Sequence, residues 1–157
     1  MATACASGRP NSPVETAIEP IASPSPLPVA NLDWFFRQDE EGAYLAFGMA
    51  ESDDVRLGMS CTPGSGALDL WRDSADGNVR EIHLESGGDT ERYPAKTDES
   101  LMSGGVYLTA QARTSDPVIQ RFRRLGWIAV LEPDHRDTLV VHPESEAGIA
   151  DFFSACD

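Results

Sequence analysis

The feature that most constrains the fold is a series of short segments in which apolar and polar residues alternate. From Leu32 onward these segments recur about every ten residues and are separated by glycine and aspartate. Such alternation places every second side chain on one face of a β-strand, and turn residues at this spacing are typical of antiparallel sheets. The sequence therefore predicts a mainly β (α+β) fold, either an antiparallel β-sandwich or a partly open barrel.

Eight strands are predicted, and in the second of them Leu45, Phe47 and Met49 should share one face. The turn Asp76-Gly77-Asn78 tolerates positive φ, so it predicts a hairpin in which the fifth strand pairs back onto the fourth. Residues 86–104 contain several glycines and a proline and are predicted to form a long loop with room for one edge strand. In chain order the strands are Asp33–Phe36, Tyr44–Met49, Val55–Cys61, Ala67–Arg72, Val79–Glu85, Val106–Ala112, Trp127–Leu131 and Asp137–Val141.

Two short helices are predicted near the C-terminus. The first is capped by Ser115 or Asp116, has Pro117 at its first position and stops at Gly126. Its inward residues should be Val118, Phe122 and Leu125. The second is capped by Ser145 and carries one apolar stripe, with helical spacing, of Ile149, Phe152, Phe153 and Cys156.

The chain has three cysteines, and an odd number leaves at least one thiol without an intramolecular partner. Cys61 and Cys156 both fall on predicted core-facing positions, so we expect a disulfide that joins the last helix to the sheet. Such a bond requires an oxidising compartment. The alternative is two unpaired buried thiols that pack as small apolar groups.

Residues 1–30 differ in composition from the rest of the chain, because they hold six of its eleven prolines and no aromatic residue. Proline fixes φ and removes a backbone donor, so we expect a disordered, semi-extended tether that precedes one β-rich domain over residues 31–157.

Small residues lead to Cys5, and Ala-Ser-Gly follows it. This start resembles that of a mature bacterial lipoprotein, which implies a lipid on Cys5 and a periplasmic, membrane-anchored location. The four residues before Cys5 contain neither the basic nor the apolar region of an export signal. Either the true start lies upstream and was trimmed, or Cys5 is an ordinary residue and the location is cytoplasmic.

The net charge of −14 comes from 26 acidic and 12 basic residues. Such a surface repels phosphate backbones and anionic headgroups, so we expect no nucleic-acid partner and contact with a membrane only through a lipid on Cys5. No phosphate-binding loop or cofactor motif is present, and none of the three histidines has a second ligand at metal-binding spacing. We therefore predict no cofactor and no metal.

Two surfaces are candidates for contact with a partner. Trp34, Phe35 and Phe36 are consecutive, and one face of a strand cannot bury all three. The first helix carries the basic cluster Arg121, Arg123 and Arg124, which could dock a carboxylate or phosphate, although cations at a helix C-terminus also stabilise the helix itself.

Among the histidines, His83 lies between the inward-facing Ile82 and Leu84 of its predicted strand, so its side chain should face solvent. Only His135 or His142 could serve a hydrolase.

The C-terminal segment carries a resemblance. A glycine-bounded helix, then Gly-Trp-Ile-Ala-Val-Leu, a hairpin to Thr-Leu-Val-Val-His-Pro and the ending Ile-Ala-Asp-Phe-Phe-Ser-Ala-Cys resemble uncharacterised exported domains of alphaproteobacteria. They are also loosely similar to the invasion-associated locus B type of periplasmic β-sandwich. The likeness covers about forty residues and implies a fold rather than an activity.

A second similarity is to periplasmic lipoproteins that inhibit lysozyme, which are small acidic barrels with a disulfide. Their signature places a tyrosine three residues after Ser-Gly, whereas Ser86-Gly87 is followed by Tyr93 at a longer spacing. The sequence as a whole predicts a non-catalytic, envelope-tethered binding or structural module with a protein partner in the envelope. The alternatives are an acidic inhibitor of a cationic cell-wall enzyme and a hydrolase that uses His135 or His142.

Overall fold

A computed structural model describes residues 25–157, in which nine antiparallel strands form one nearly closed sheet. The strands are β1 (Leu32–Gln38), β2 (Ala43–Met49), β3 (Val55–Cys61), β4 (Ala67–Ser74), β5 (Glu81–Ser86), β6 (Asp89–Glu99), β7 (Val106–Arg113), β8 (Trp127–Glu132) and β9 (His135–Val140). The helices are α1 (Pro117–Leu125) and α2 (Glu146–Cys156). The strand order is β1-β2-β3-β4-β7-β6-β5-β8-β9.

The predicted fold class is confirmed. The predicted tether lies mostly outside the described residues, as does Cys5.

The long strand β6 connects the two halves of the sheet. Its residues 89–94 pair with β5, and its residues 95–99 pair with β7. Pro94, which has no N–H to donate, stands where the pairing partner changes, a position at which a sheet tolerates proline. The prediction of a long loop over residues 86–104 was therefore wrong. Tyr93 is the one buried residue of β6, so the strand lacks the apolar alternation by which strands are recognised.

The turn Asp76-Gly77-Asn78 forms, with the Asn78 N–H donating to the Asp76 carboxylate at 2.8 Å, but it does not close a hairpin. Both edges of β4 are occupied, by β3 and by β7. β5 instead pairs with β6 and β8. The predicted pairing of Val79–Glu85 with Ala67–Arg72 was therefore wrong, and the turn carries the chain from one half of the sheet to the other.

Both helices pack against the sheet and share an aromatic cluster with it. Helix α1 contacts β5, β6 and β8, whereas α2 contacts β1 and β2. The Trp34 ring lies 5.3 Å from that of Phe47 and 4.7 Å from that of Phe122, and Phe122 in turn contacts Phe153. Burial of these large rings accounts for much of the apolar area that the fold removes from water.

Most predicted inward residues are buried, but two are not. The stripe Ile149, Phe152, Phe153 and Cys156 of α2 is buried as predicted. Met49 is 47% exposed and stands at the last position of β2. Leu125 is also exposed, at the last position of α1 before Gly126 ends the helix with φ of 74°.

A disulfide joins Cys61 of β3 to Cys156 of α2, with their Cα atoms 5.7 Å apart. Next to it, the N–H of Gly64 donates to the carbonyl of Ala155, and that of Gly66 to the carbonyl of Cys156, both at 2.8 Å. The last carbonyls of a helix have no partner within the helix, so these bonds satisfy them. The β3–β4 turn and the disulfide together hold the end of α2.

Asp33 brings the first and last strands of the sheet together. Its carboxylate accepts a hydrogen bond from the His142 N–H at 3.0 Å and another from the Ser145 hydroxyl. Ser145 stands at the N-cap position of α2 as predicted, but its hydroxyl makes no capping hydrogen bond because it is directed to Asp33. The gap between β1 and β9 is therefore bridged by a side chain rather than by a strand ladder.

Candidate binding surfaces

The three consecutive aromatic residues of β1 divide between the two faces of the sheet. Trp34 is only 2% exposed, and Phe36 packs against the core beside Gly148. Trp34 is thus a core residue with almost no accessible surface, and Phe36 is half-buried against the core. Phe35 points outward, is 44% exposed and, together with Met49, lines a shallow hollow of about 590 Å³. Phe35 alone remains a candidate contact residue.

The basic cluster of α1 is largely engaged with neighbouring groups. Arg121 forms an ion pair with Asp89 and donates to the carbonyl of Gly87 at 3.1 Å. Arg123 donates to the Asp157 carboxylate at 2.6 Å, and this hydrogen bond lowers the pKa of Asp157. Arg124 is exposed and has no ion pair among the described residues. The cluster therefore acts mainly within the fold, and Arg124 is its accessible charge.

A groove of about 860 Å³ lies on the outer side of β5 and β8. It is bounded by the β4–β5 and β8–β9 turns. His83 is half-buried in it, where burial and the nearby Arg92 guanidinium lower the pKa of the imidazole. The other charged residues that line the groove are Arg80, Glu81, Arg92, Glu132, Asp134, His135 and Arg136.

Most of these charges are already paired. Arg92 forms an ion pair with Glu81, and Arg136 forms one with Glu85. Arg80 donates to two backbone carbonyls of its own turn, at 2.7 and 2.8 Å, and has no carboxylate partner among the described residues. The groove thus contains one guanidinium without a carboxylate partner, two imidazoles, and the Asp134 carboxylate, which has no ion pair among the described residues. The guanidinium and the imidazoles could hold a carboxylate or phosphate group of a ligand, whereas Asp134 would oppose one.

The histidines named as hydrolase candidates lie in different places. His135 is exposed at the first position of β9 and lines the groove, but it forms no hydrogen bond with a carboxylate in the described structure. His142 lies outside the groove, and its Nε2 is 2.9 Å from the carbonyl oxygen of Val29. This hydrogen bond raises the pKa of His142. His142 therefore anchors the segment that precedes β1.

Two ion pairs that the sequence analysis missed join β3 and β4 to β8 and β9. Arg72 forms an ion pair with Glu132 at 2.8 Å, and the same carboxylate accepts a 2.8 Å hydrogen bond from Ser74. Arg56 reaches Asp137 at 3.1 Å. Alternate residues of a strand share one face, so Arg72 lies on the same face of β4 as the buried Leu68 and Leu70. This alternation was the signal in the sequence that Arg72 points inward.

Ser86 and Tyr93, the residues compared with the lysozyme-inhibitor signature, make hydrogen bonds in the interior of the fold. The Ser86 hydroxyl is buried and donates to the carbonyl of Trp127 at 2.7 Å. The buried Tyr93 hydroxyl donates to Asp116 at 3.0 Å, and burial together with Asp116 raises the pKa of Tyr93 far above its ordinary value. Both residues join α1 and β8 to the rest of the sheet, so neither presents a surface to a partner.

The short loop between β6 and β7, residues 100–105, was also missed by the sequence analysis. It carries Leu101, which is 95% exposed, and Met102, which is 68% exposed. The sequence did contain a signal for this exposed pair, because Leu101 and Met102 are adjacent apolar residues among the serines and glycines of a predicted loop. We refer to residues 100–105 as the Leu101 loop.

Across residues 25–157 no group of three histidine, cysteine or acidic side chains is arranged to hold a metal ion. None of the helices in this part of the chain has the length and apolar character needed to cross a membrane. Comparison of the chain with protein-family models, with curated proteins and with solved structures finds no match in any of the three.

Proposed function

We propose that this chain is a non-catalytic binding domain that acts in the cell envelope, outside the cytoplasm, where a lipid on Cys5 tethers it. The observation that carries the proposal is the Cys61–Cys156 disulfide. Disulfides persist in oxidising compartments such as the periplasm and are rare in the cytosol. This bond closes a span of 95 residues and is buried, so it belongs to the folded core rather than to an exposed redox centre.

The uses of the hydroxyl groups support a binding rather than a catalytic role. Each of the buried serines Ser74, Ser86 and Ser100 donates its hydroxyl to a structural acceptor. A serine nucleophile instead requires a hydrogen bond to a base that is itself oriented by a third group. His135, the hydrolase candidate that lines the groove, has no such partner among the described residues, and the nearby Glu132 is committed to Arg72 and Ser74.

The proposal is tested by the intact mass of the native protein, purified from separated fractions of its own host with and without reduction. We expect an envelope fraction, a mass that includes acyl chains on Cys5, and a gain of one hydrogen for each of Cys61 and Cys156 on reduction. An unmodified cytosolic protein whose mass does not change on reduction would overturn both the location and the tether.

A second candidate function is inhibition of a cationic cell-wall enzyme, which the net charge of −14 favours. Acidic and basic surfaces attract each other over about 8 to 10 Å at moderate salt, and this attraction speeds association. An inhibitor that works in this way should lose affinity steeply as the salt concentration rises. A binding module that recognises its partner through apolar contacts alone should show little change.

A hydrolase remains the competing hypothesis for the groove. It predicts that purified protein cleaves ester, amide or glycoside probes and that His135→Ala abolishes the cleavage. We expect no turnover above that of the His135→Ala variant. Turnover that depends on His135 would contradict the proposed binding role.

A further inference from the structure

The Leu101 loop presents two large apolar side chains to solvent at the end of the β6–β7 hairpin. Leu101 and Met102 are adjacent and lie at its tip, with 95% and 68% of their surfaces exposed. Isolated exposed apolar residues are ordinary on protein surfaces. A pair at the tip of one short loop is different, because it forms a protruding apolar knob that a complementary pocket could enclose.

The loop that carries this knob is held in one conformation by its own polar groups. The buried Ser100 hydroxyl accepts hydrogen bonds from the N–H groups of Met102 and Ser103, at 3.2 and 3.0 Å, and donates to Asp73. The Ser103 hydroxyl donates to the carbonyl of Ser74 at 3.0 Å. Gly105 is pressed so closely against β4 that a Cβ there would lie 2.1 Å from the same carbonyl oxygen.

Such rigidity matters for binding because ordering a flexible loop opposes association. A loop that is already ordered in the free protein loses little conformational entropy when it enters a pocket. Ser100 ties the loop to Asp73, and Ser103 ties it to Ser74. The knob is therefore presented in the same way whether or not a partner is bound.

Acidic residues lie close to the loop along the chain and the sheet, near the ends of β4 and β6. Asp98 and Asp73 lie on either side of Tyr107 as its cross-strand neighbours, and Glu99 immediately precedes the loop. Burial and the neighbouring Asp73 raise the pKa of Tyr107, so this side chain adds no positive or negative charge near neutral pH. Lys96, the only lysine in the sequence, lies three residues before Glu99 in β6. The acidic groups favour a basic partner surface and oppose an anionic lipid surface.

We infer that the Leu101 loop is an insertion element that seats Leu101 and Met102 in an apolar pocket on a basic protein, with Asp73, Asp98 and Glu99 facing basic residues around that pocket. This inference rests on the proposed binding function, since it names the class of partner. It requires no contribution from Cys5 or from the groove beside His83.

The partner is identified by placing a photo-reactive phenylalanine analogue at position 101 of the full chain in its own host. We expect one discrete adduct with a basic protein. The affinity of that purified protein is then measured for the wild-type chain, for Leu101→Ser/Met102→Ser and for the control Leu27→Ser, in which another leucine that is 82% exposed is changed.

The double variant should weaken binding about tenfold or more, since a buried apolar anchor contributes strongly to affinity. Leu27→Ser should bind like the wild type, and wild-type affinity should fall as salt is raised. Because Leu101 and Met102 are exposed, the double variant should keep the urea midpoint of the wild type. Equal affinity of wild type and double variant, no adduct, or an adduct with an acidic protein would each overturn the inference.

A membrane is the other surface into which an apolar knob could insert. It is tested with unacylated protein and vesicles of phosphatidylcholine alone or mixed with phosphatidylglycerol. We expect no binding to either, and vesicle binding that the double variant abolishes would overturn the inference. The proposed function is tested independently by the intact mass of the native protein. The two experiments therefore distinguish a protein that carries a lipid on Cys5 but has no loop partner from one that has a loop partner but carries no lipid.

Discussion

Gly58 of β3 lies directly beneath the indole ring of Trp71, its cross-strand neighbour on β4. A Cβ built at Gly58 would lie 2.1 Å from the ring, far inside van der Waals contact. The Trp71 ring is therefore able to lie flat on the outer face of the sheet only because residue 58 has no side chain. This contact covers the backbone of β3 on the side that does not face the core.

From this contact we expect Gly58→Ala to lower the free energy of unfolding by about 2 to 3 kcal/mol, because the added methyl group must displace the ring. The measurement is the urea unfolding curve. Gly77→Ala is the matched control, since no atom lies within 4 Å of a Cβ at that position. Equal midpoints for Gly58→Ala and the wild type would show that the ring moves aside without cost.

Removal of the disulfide by Cys61→Ala/Cys156→Ala should lower the free energy of unfolding by about 4 to 5 kcal/mol. The reason is that a cross-link over 95 residues restricts the unfolded chain. Unfolding of the wild type in reductant should give a similar decrease. Cys5→Ser, which leaves this bond intact, should unfold like the wild type. A decrease below about 1 kcal/mol would contradict the expected contribution of the bond.

The division of the aromatic residues in β1 predicts unequal effects of substitution. Trp34→Ala removes a ring that packs against Phe47 and Phe122, and it should lower the free energy of unfolding by about 3 to 5 kcal/mol. Phe35→Ala should lower it by about 1 kcal/mol or less, because Phe35 is 44% exposed and lies outside the core. Comparable losses for the two variants in thermal or urea unfolding would contradict the assignment of faces.

The ion pair of Arg72 and Glu132 lies in a mostly buried position, with 11% and 15% of the two side chains exposed. Glu132→Gln should lower the free energy of unfolding by about 2 to 3 kcal/mol, since it leaves the guanidinium without its counter-charge.

The double variant Arg72→Met/Glu132→Gln should recover part of this loss, and a double-mutant cycle measures the coupling. Arg37→Met is the control, because the Arg37–Asp39 pair is solvated and should contribute less than about 0.5 kcal/mol. Strict additivity of the two single changes would contradict the pairing.

The histidines should titrate in a fixed order, measured by the imidazole resonances in a pH series. The pKa of His142 should lie above 6.5, because Nε2 donates to the Val29 carbonyl when it is protonated. The pKa of His83 should lie below 6.5, because burial and Arg92 disfavour its charged form.

These shifts have opposite consequences for stability. The contribution of His142 is complete below its unfolded pKa and is lost as pH rises through its raised folded pKa. That of His83 is complete above its unfolded pKa and is lost as pH falls through its lowered folded pKa. His83→Asn and His142→Asn assign the two resonances. The reverse order of titration would contradict the surroundings described for both.

Local patterns predicted most elements of the fold because each depends on neighbouring residues. Alternation identified β3, and helical spacing identified the buried stripe of α2. The stop at Gly126 followed from the ability of glycine to adopt a positive φ. The disulfide between Cys61 and Cys156 could be expected because both residues fell on inward faces.

The errors arose where partners distant in sequence decide the outcome. Asp76-Gly77-Asn78 forms a turn whether or not its flanking strands pair, and here β7 already occupies the edge of β4 that β5 would need. Pro94 and the polar residues of β6 resemble a loop, yet the strand is stabilised by hydrogen bonds to neighbours on both sides.

The sequence by itself determined the class of fold, the two helices and the inward faces that hold Cys61 and Cys156, because alternation and capping act within a few residues. Only the tertiary structure decided the strand order, the outward position of Phe35 and the rigid display of Leu101 and Met102. These depend on contacts between distant segments, such as that of Ser100 with Asp73. Hydrogen bonds and packing across the sheet are set by which strands become neighbours, and no local pattern contains that information.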